Sequence, residues 1–315
     1  MAVKTRFASQ DLERLLSHYN LGSLTRAEPI TQGTVQTNYW IETTQGKYVF
    51  RYYENRARES VLFESELLNY LKVCQYPCPA PMPDQHGTVV GTCLDKPFII
   101  FEFVEGQPVE YPTQAHQSQL IQKVAELHTL TRGYQPQYLA HRLNYDIPHC
   151  RELAALEAEK IGTRDARAKF TWLDAQLAAL DLPDRLPKGI CHCDFHFSNV
   201  LFQDDRFVGL IDFDDANYTY LLFDLVSLVD SWAWPFQSER LDLAQARAIV
   251  QAYHAYRPLS AVEQWHIFDV HKLSVLFDCI WFFARGTAED FYEKRKINFL
   301  NNLGREQYAQ ACSWS

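Results

Sequence analysis

Between Gly189 and Asp215 the chain reads GICHCDFHFSNVLFQDDRFVGLIDFDD, and this stretch constrains the fold more than any other. A short apolar strand leads into a polar loop. Two further strands follow, joined by the turn Gln203-Asp204-Asp205-Arg206. The loop gathers His192, Asp194 and Asn199 within eight residues, and the second strand, Phe207 to Ile211, runs out at Asp212. A single Asp or Asn beside a turn is ordinary turn chemistry. Four such residues at these spacings, bracketed by strands, form a donor set: a carboxylate to take a proton, and an amide and second carboxylate to hold a hard cation.

Bulk properties set the bounds. The chain has 315 residues, 47% hydrophobic, enough for one large domain or two lobes with a sizeable core. Its net charge of −9 argues against a nucleic-acid partner, which requires a basic surface. No apolar run reaches the roughly 18–20 residues that span a bilayer. The N-terminal MAVKTRFASQDLERLL lacks the apolar core of a secretory signal, so no membrane partner is expected and the expected compartment is the cytoplasm. The eight cysteines are scattered. Cys191-His192-Cys193 has no second Cys/His pair at zinc-binding spacing, so buried reduced thiols are expected.

The flanking chain divides by composition. Ser9 is expected to cap a first helix, with Leu12, Leu15, Leu16 and Tyr19 on one face and Gly22 ending it. Thr31-Gln32-Gly33-Thr34 reads as a turn between strands. Tyr39–Thr43 and Lys47–Tyr53 are strand-like, joined by Thr44-Gln45-Gly46. Arg58 to Val73 has helical periodicity, with Glu64 beside Leu67, Leu68 and Leu71 at the edge of the apolar stripe. A carboxylate there needs a partner or a solvated margin, and Arg51 on the neighbouring strand is the natural partner. Pro97–Val104 is an apolar strand interrupted by Glu102. Helices are then expected up to His128, over about 150–180, and near 221–234, 243–256, 261–285 and 287–303. The expected class is α+β, with a β-rich lobe over 1–103 and a mainly helical lobe over 104–315.

The order His-x-Asp-x-x-x-x-Asn followed by Asp-Phe fits a kinase catalytic loop with its metal-binding aspartate. Asp194 would accept or orient the proton of an attacking hydroxyl, Asn199 and Asp212 would hold Mg²⁺, and His192 would brace the loop rather than react. Asp214 and Asp215 would either meet a cationic part of the substrate or cap the next segment. Asp224, opening an apolar helix, is expected to accept hydrogen bonds from loop amides.

HCDFHFSNVLF followed by GLIDFDD resembles the aminoglycoside phosphotransferase/choline kinase superfamily. LLSHYNLGSL, ITQGTVQTNYWIETTQGKYVFRYYENR, YPCPAP, FVEGQPVEYPTQAH and YRPLSAVEQ are similar to its type II homoserine kinase branch. The resemblance implies a two-lobed protein-kinase-like fold and phosphorylation by ATP and Mg²⁺ of a small-molecule hydroxyl, that of homoserine in threonine biosynthesis. It makes Asp194 the base and Asn199 and Asp212 the metal ligands. It places Gly33 in the phosphate-covering loop, Arg51 on the phosphates with Glu64 as its partner, and Glu102 to Val104 at adenine. The acidic pair Asp214-Asp215 departs from the apolar residues usual after the metal-binding aspartate in that branch. An aminoglycoside, choline or another amino alcohol therefore stays open as acceptor, as does non-catalytic nucleotide binding. For a substrate carboxylate, Arg142, Lys188, Arg285 and Lys294 are the candidate cations. For a quaternary ammonium, Trp232, Trp234, Tyr218, Tyr220 and Trp281 are the candidate cage.

Overall fold

The computed structural model describes residues 4–312 except Gln32, Thr34, Phe236, Gln237, Glu239 and Phe282. In chain order the elements are α1 (Ser9–Leu16), β1 (Leu24–Ile30), β2 (Thr37–Thr43), β3 (Lys47–Tyr52), α2 (Arg58–Val73), β4 (Gly91–Cys93), β5 (Lys96–Glu102) and α3 (Gln114–Leu130). Then come α4 (Ile147–Ile161), α5 (Arg164–Ala178), β6 (Lys188–Cys191), β7 (Val200–Gln203), β8 (Arg206–Leu210), β9 (Asn217–Tyr220), α6 (Leu222–Ala233), α7 (Leu243–Tyr256), α8 (Ala261–Trp281) and α9 (Tyr292–Cys312). The chain makes two compact units. One comprises Met1–Tyr111, Gln135–Arg142 and Phe197–Asp214. The other comprises Pro112–Tyr134, Leu143–His196 and Asp215–Ser315.

The first unit is built on a five-stranded sheet of order β1-β2-β3-β5-β4, antiparallel throughout. Strand alternation sorts its faces. Tyr39, Ile41, Phe50, Tyr52, Phe98 and Ile100 meet Phe7, Leu12 and Leu16 in one buried core. Arg51, alternating with Phe50 and Tyr52, points to the face that α2 covers, where Glu64 is buried. Helix α1 starts at its expected cap, one residue early. Ser9 is already helical, and Asp11 accepts from the Ala8 amide. Asp204 and Asp205, at φ 48° and 59°, form the tight turn of the β7–β8 hairpin, and left-handed values at both positions match strand twist. The segment after β5 lies on this hairpin: Gln107 bridges Phe202, and a Cβ on Gly106 would stand 2.7 Å from Val208 Cγ2.

The second unit pairs β6 with β9 and surrounds them with helices. Helix α8 is buried along most of its length and packs on α4, α5, α6 and α9. Its 21 residues end at Trp281, short of the expected 285. The ending has a cause: buried Lys169 of α5 donates to the carbonyls of Phe283, Arg285 and Gly286 at 3.0, 2.6 and 3.0 Å, turning the chain away. Helix α9 begins at Tyr292, later than expected, and breaks at Gly304 (φ 75°, ψ 159°). Among the described residues no helix is long and apolar enough to cross a membrane.

Candidate active site

The helical unit holds the loop that carries Asp194. Asp224, at the start of α6 and fully buried, accepts from the His192 amide at 2.9 Å through Oδ2 and from the Cys193 amide at 2.9 Å through Oδ1. Cys193 sits at φ 63°, a left-handed conformation that a non-glycine residue keeps only when its surroundings hold it. The same Asp224 carboxylate meets His128 Nε2 at 3.0 Å. His128 Nδ1 meets the Tyr253 hydroxyl at 2.6 Å, and Arg257 joins Tyr253 to Glu263. His192 is buried, its ring 4.9 Å from that of Phe195, and its Nδ1 accepts from the Asp194 amide at 3.3 Å. It braces the loop, whereas Asp194 is exposed.

The sheet unit holds the other half of the expected set. Asn199 and Asp212 are brought side by side by the hairpin, with the Ile211 amide donating to the Asn199 carbonyl at 2.9 Å. Asp212 is at φ 67°, another non-glycine residue in the left-handed region. Its Oδ1 lies 2.8 Å from Arg51 Nη1, while Glu64 Oε1 is 3.6 Å from the same nitrogen. Arg51 Nε donates to Asn38, and Tyr53 donates to Glu64 Oε2. Burial works against the Arg51 charge, but Asp212, then Tyr53, Glu64 and Asp214, outweigh it and hold the guanidinium above the usual arginine range. Burial pushes the Glu64 carboxyl up to about 7; Arg51, nearer to Asp212, offsets only part of that, and Asp214 adds to it. An amide oxygen and a carboxylate on neighbouring strand ends fit a hard divalent cation.

Residues 26–259 match the phosphotransferase enzyme family. The chain belongs to that family. It is 32% identical over 304 residues to a homoserine kinase of Methylobacterium radiotolerans, covering 96% of this chain and 89% of that protein. A homoserine kinase of Parvibaculum lavamentivorans is 31% identical over 312 residues at the same coverage. Among solved structures, an amicoumacin kinase in complex with AMP-PNP and Ca²⁺ superposes with a TM-score of 0.65 at 14% identity, covering 96% of this chain and 94% of that one. The fold is the protein-kinase-like α+β fold expected, and the protein is a phosphotransferase acting on an alcohol group.

Several expected substrate contacts of the phosphotransferase are already committed within the protein. Asp214 is buried. Arg56 grips it through Nε–Oδ1 at 2.8 Å and Nη2–Oδ2 at 3.1 Å, and Gln36 donates to Oδ2 at 2.8 Å. Burial would raise its carboxyl, yet Arg56 holds it below the usual range. Asp214 is therefore a brace in the sheet unit, not an open acceptor for a substrate cation, and Asp215 lies in the other unit. Arg142 is buried over the Phe63 ring and donates to Ser60 and to the Asp214 carbonyl. Lys294 donates to the Ala288 carbonyl, and Lys188 lies over Tyr220. Trp234 is buried against Lys296 and Trp281 is exposed, so these aromatics do not share one cage environment.

Gly33 is at φ 98°, with nothing within 4 Å of where a Cβ would stand, leaving its backbone approachable. Glu102 pairs with Lys72 at 2.5 Å, and its amide donates to the Ala80 carbonyl. Beyond Phe103, which donates to Lys47, the Val104 backbone has no backbone partner among the described residues. All eight cysteines are free thiols. Ligand atoms of His128, Cys191 and Asp224 lie within 4.8 Å of one another, but both His128 nitrogens and the Asp224 carboxylate are already engaged. Sequence reasoning missed His128, Arg56 and Gln36: their partners are 96, 158 and 178 residues away.

Proposed function

We propose that this phosphotransferase transfers the γ-phosphoryl group of ATP to the side-chain hydroxyl of L-homoserine in the cytoplasm, using Mg²⁺. The observation that carries the reading is 32% identity to a homoserine kinase across 96% of the chain, with Asp194, Asn199 and Asp212 all present.

In this mechanism residues 1–103 are the nucleotide lobe and residues 104–315 the catalytic and acceptor lobe. The unmatched Val104 backbone and the strand end at Glu102 meet adenine, and the open backbone at Gly33 covers the phosphates. Arg51 forks onto phosphate oxygens, and Glu64 takes over as its partner once Asp212 is drawn away. Asn199 and Asp212 would hold the magnesium ion, which neutralises charge on the phosphates when bound. Asp194, exposed on a loop pinned by Asp224, takes the hydroxyl proton as the oxygen attacks. Such a base contributes about 10²–10⁴-fold.

The test is an acceptor panel of L-homoserine, L-threonine, L-serine, choline, ethanolamine and aminoglycosides with ATP and Mg²⁺. Homoserine should have the highest kcat/KM, and an equal or lower rank overturns the assignment. Asp194→Ala should remove turnover while leaving ATP binding intact, and unchanged turnover refutes the mechanism.

A further inference from the structure

Asn38 and Arg51 stand directly opposite one another across the antiparallel pair β2–β3. Residues so opposed project from the same face of a sheet, close enough for their side chains to meet. Asn38 is half-buried and is the second residue of β2, the strand that follows the turn containing Gly33. Its Oδ1 accepts from Arg51 Nε at 3.0 Å. An arginine nitrogen only donates, so the Asn38 atom that faces it is the amide oxygen.

The partners of Arg51 divide by atom. Asn38 takes Nε–H, Asp212 and Glu64 lie beside Nη1 at 2.8 and 3.6 Å, and among the described residues Nη2 makes no hydrogen bond. Asn38 differs from the two carboxylates in being neutral. It fixes the plane of the guanidinium without cancelling its charge. An arginine side chain is long, and its freedom is lost when the fork closes on an anion. A neutral acceptor on Nε removes much of that freedom beforehand and leaves the Nη edge for oxygen atoms of a ligand. Lysine carries all its donors on one nitrogen and has no separate edge for such an anchor.

We propose that Asn38 is a positioning residue for phosphoryl transfer: it holds Arg51 through Nε so that the Nη1–Nη2 edge meets the phosphates of the nucleotide. This deepens the reading that Arg51 forks onto phosphate oxygens and rests on it. Arg51 touches the nucleotide, and Asn38 acts through Arg51. Loss of the anchor is therefore felt in nucleotide affinity, and only while residue 51 has an Nε–H to hold.

The experiment is a double-mutant cycle on the full chain, with binding of AMP-PNP and Mg²⁺ read by titration calorimetry. Asn38→Ala should raise Kd about 5- to 20-fold, the factor that a lost hydrogen bond to a charged group carries. Arg51→Lys keeps a positive charge but has no Nε–H, so adding Asn38→Ala to it should change Kd by less than about twofold. That non-additivity separates an anchor for Arg51 from a general support of the sheet, which would cost the same factor in both backgrounds. If Asn38→Ala fails to fold, Asn38→Leu, similar in size and without an acceptor, carries the test. Arg51→Met, which removes the charge as well, should raise Kd about 10- to 100-fold. An unchanged Kd in Arg51→Met overturns the phosphate role of Arg51 and the anchor with it. A raised Kd there, with Asn38→Ala binding as the wild type does or losing the same factor in both backgrounds, overturns the anchor alone.

Discussion

Asp224 is the residue whose loss is most tightly predicted by geometry. It is fully buried and accepts the His192 and Cys193 amides at 2.9 Å and His128 at 3.0 Å. Asp224→Asn keeps the shape but replaces one oxygen by an NH₂ group. If the NH₂ replaces Oδ1 it faces the Cys193 amide, and if it replaces Oδ2 it faces the His192 amide. Either orientation strands a buried donor, at about 1–3 kcal/mol, and the remaining bonds lose charge assistance, about 1 kcal/mol each. The expected loss of stability is about 3–5 kcal/mol. Cys193, at φ 63°, would then relax and carry Asp194 with it, so kcat should fall about 100-fold, the cost of a misplacement near 1 Å. Urea unfolding gives the first quantity and initial rates at saturating acceptor and ATP the second. A loss below about 1 kcal/mol, with kcat within about threefold of wild type, would refute the claim that this carboxylate holds the loop.

Three further outcomes are expected. Arg56→Met leaves buried Asp214 with Gln36 alone and should destabilise the protein by about 3–5 kcal/mol in urea unfolding; a near-neutral result would show that the brace is dispensable. Thiol reagents at pH 8 should modify Cys74, Cys93 and Cys193 in the native protein and spare Cys78, Cys150, Cys191, Cys279 and Cys312, all buried, until urea is added; mass spectrometry of the labelled peptides reads this directly. The Asp278 carboxyl is raised to about 7, above its unfolded value of about 3.9, so the native state holds an extra proton between those values. Its favourable contribution is complete below the unfolded value and lost as pH rises through 7. Asp230, Glu293, Lys296 and Asp194 are the charges it feels, so replacing it with Asn should stabilise the protein more at pH 8.5 than at pH 5. A pH-independent difference would remove Asp278 from that role.

What the sequence made legible was local. Helix α2 runs from Arg58 to Val73 as its apolar spacing requires, and the β7–β8 turn falls on Asp204-Asp205, because periodicity and turn chemistry act over a few residues. The fold class was legible for the same reason: short strands in the first third and long helices in the rest. Asp214 was misleading because its character is set by Arg56 and Gln36, far away in the chain. Asp278 was invisible for another reason. Helix α8 is buried along so much of its length that no polar stripe marks where its carboxylate lies. Arg51 showed its pairing with Glu64 by strand and helix position, but not its shorter contact to Asp212, which depends on the left-handed turn at φ 67°.

One of the chain's crossings between the two compact units falls between His196 and Phe197, two residues after Asp194 and two before Asn199. Its consequence is evolutionary. The proposed base draws its support from helices that can vary together, while the proposed metal ligands answer to the sheet and its hairpin. A lineage changing its acceptor can therefore remodel α6, α8 and α9 as a set and inherit its nucleotide chemistry unaltered. Exchanges of whole helices between relatives with different acceptors should be tolerated more often than the same number of substitutions spread across both units.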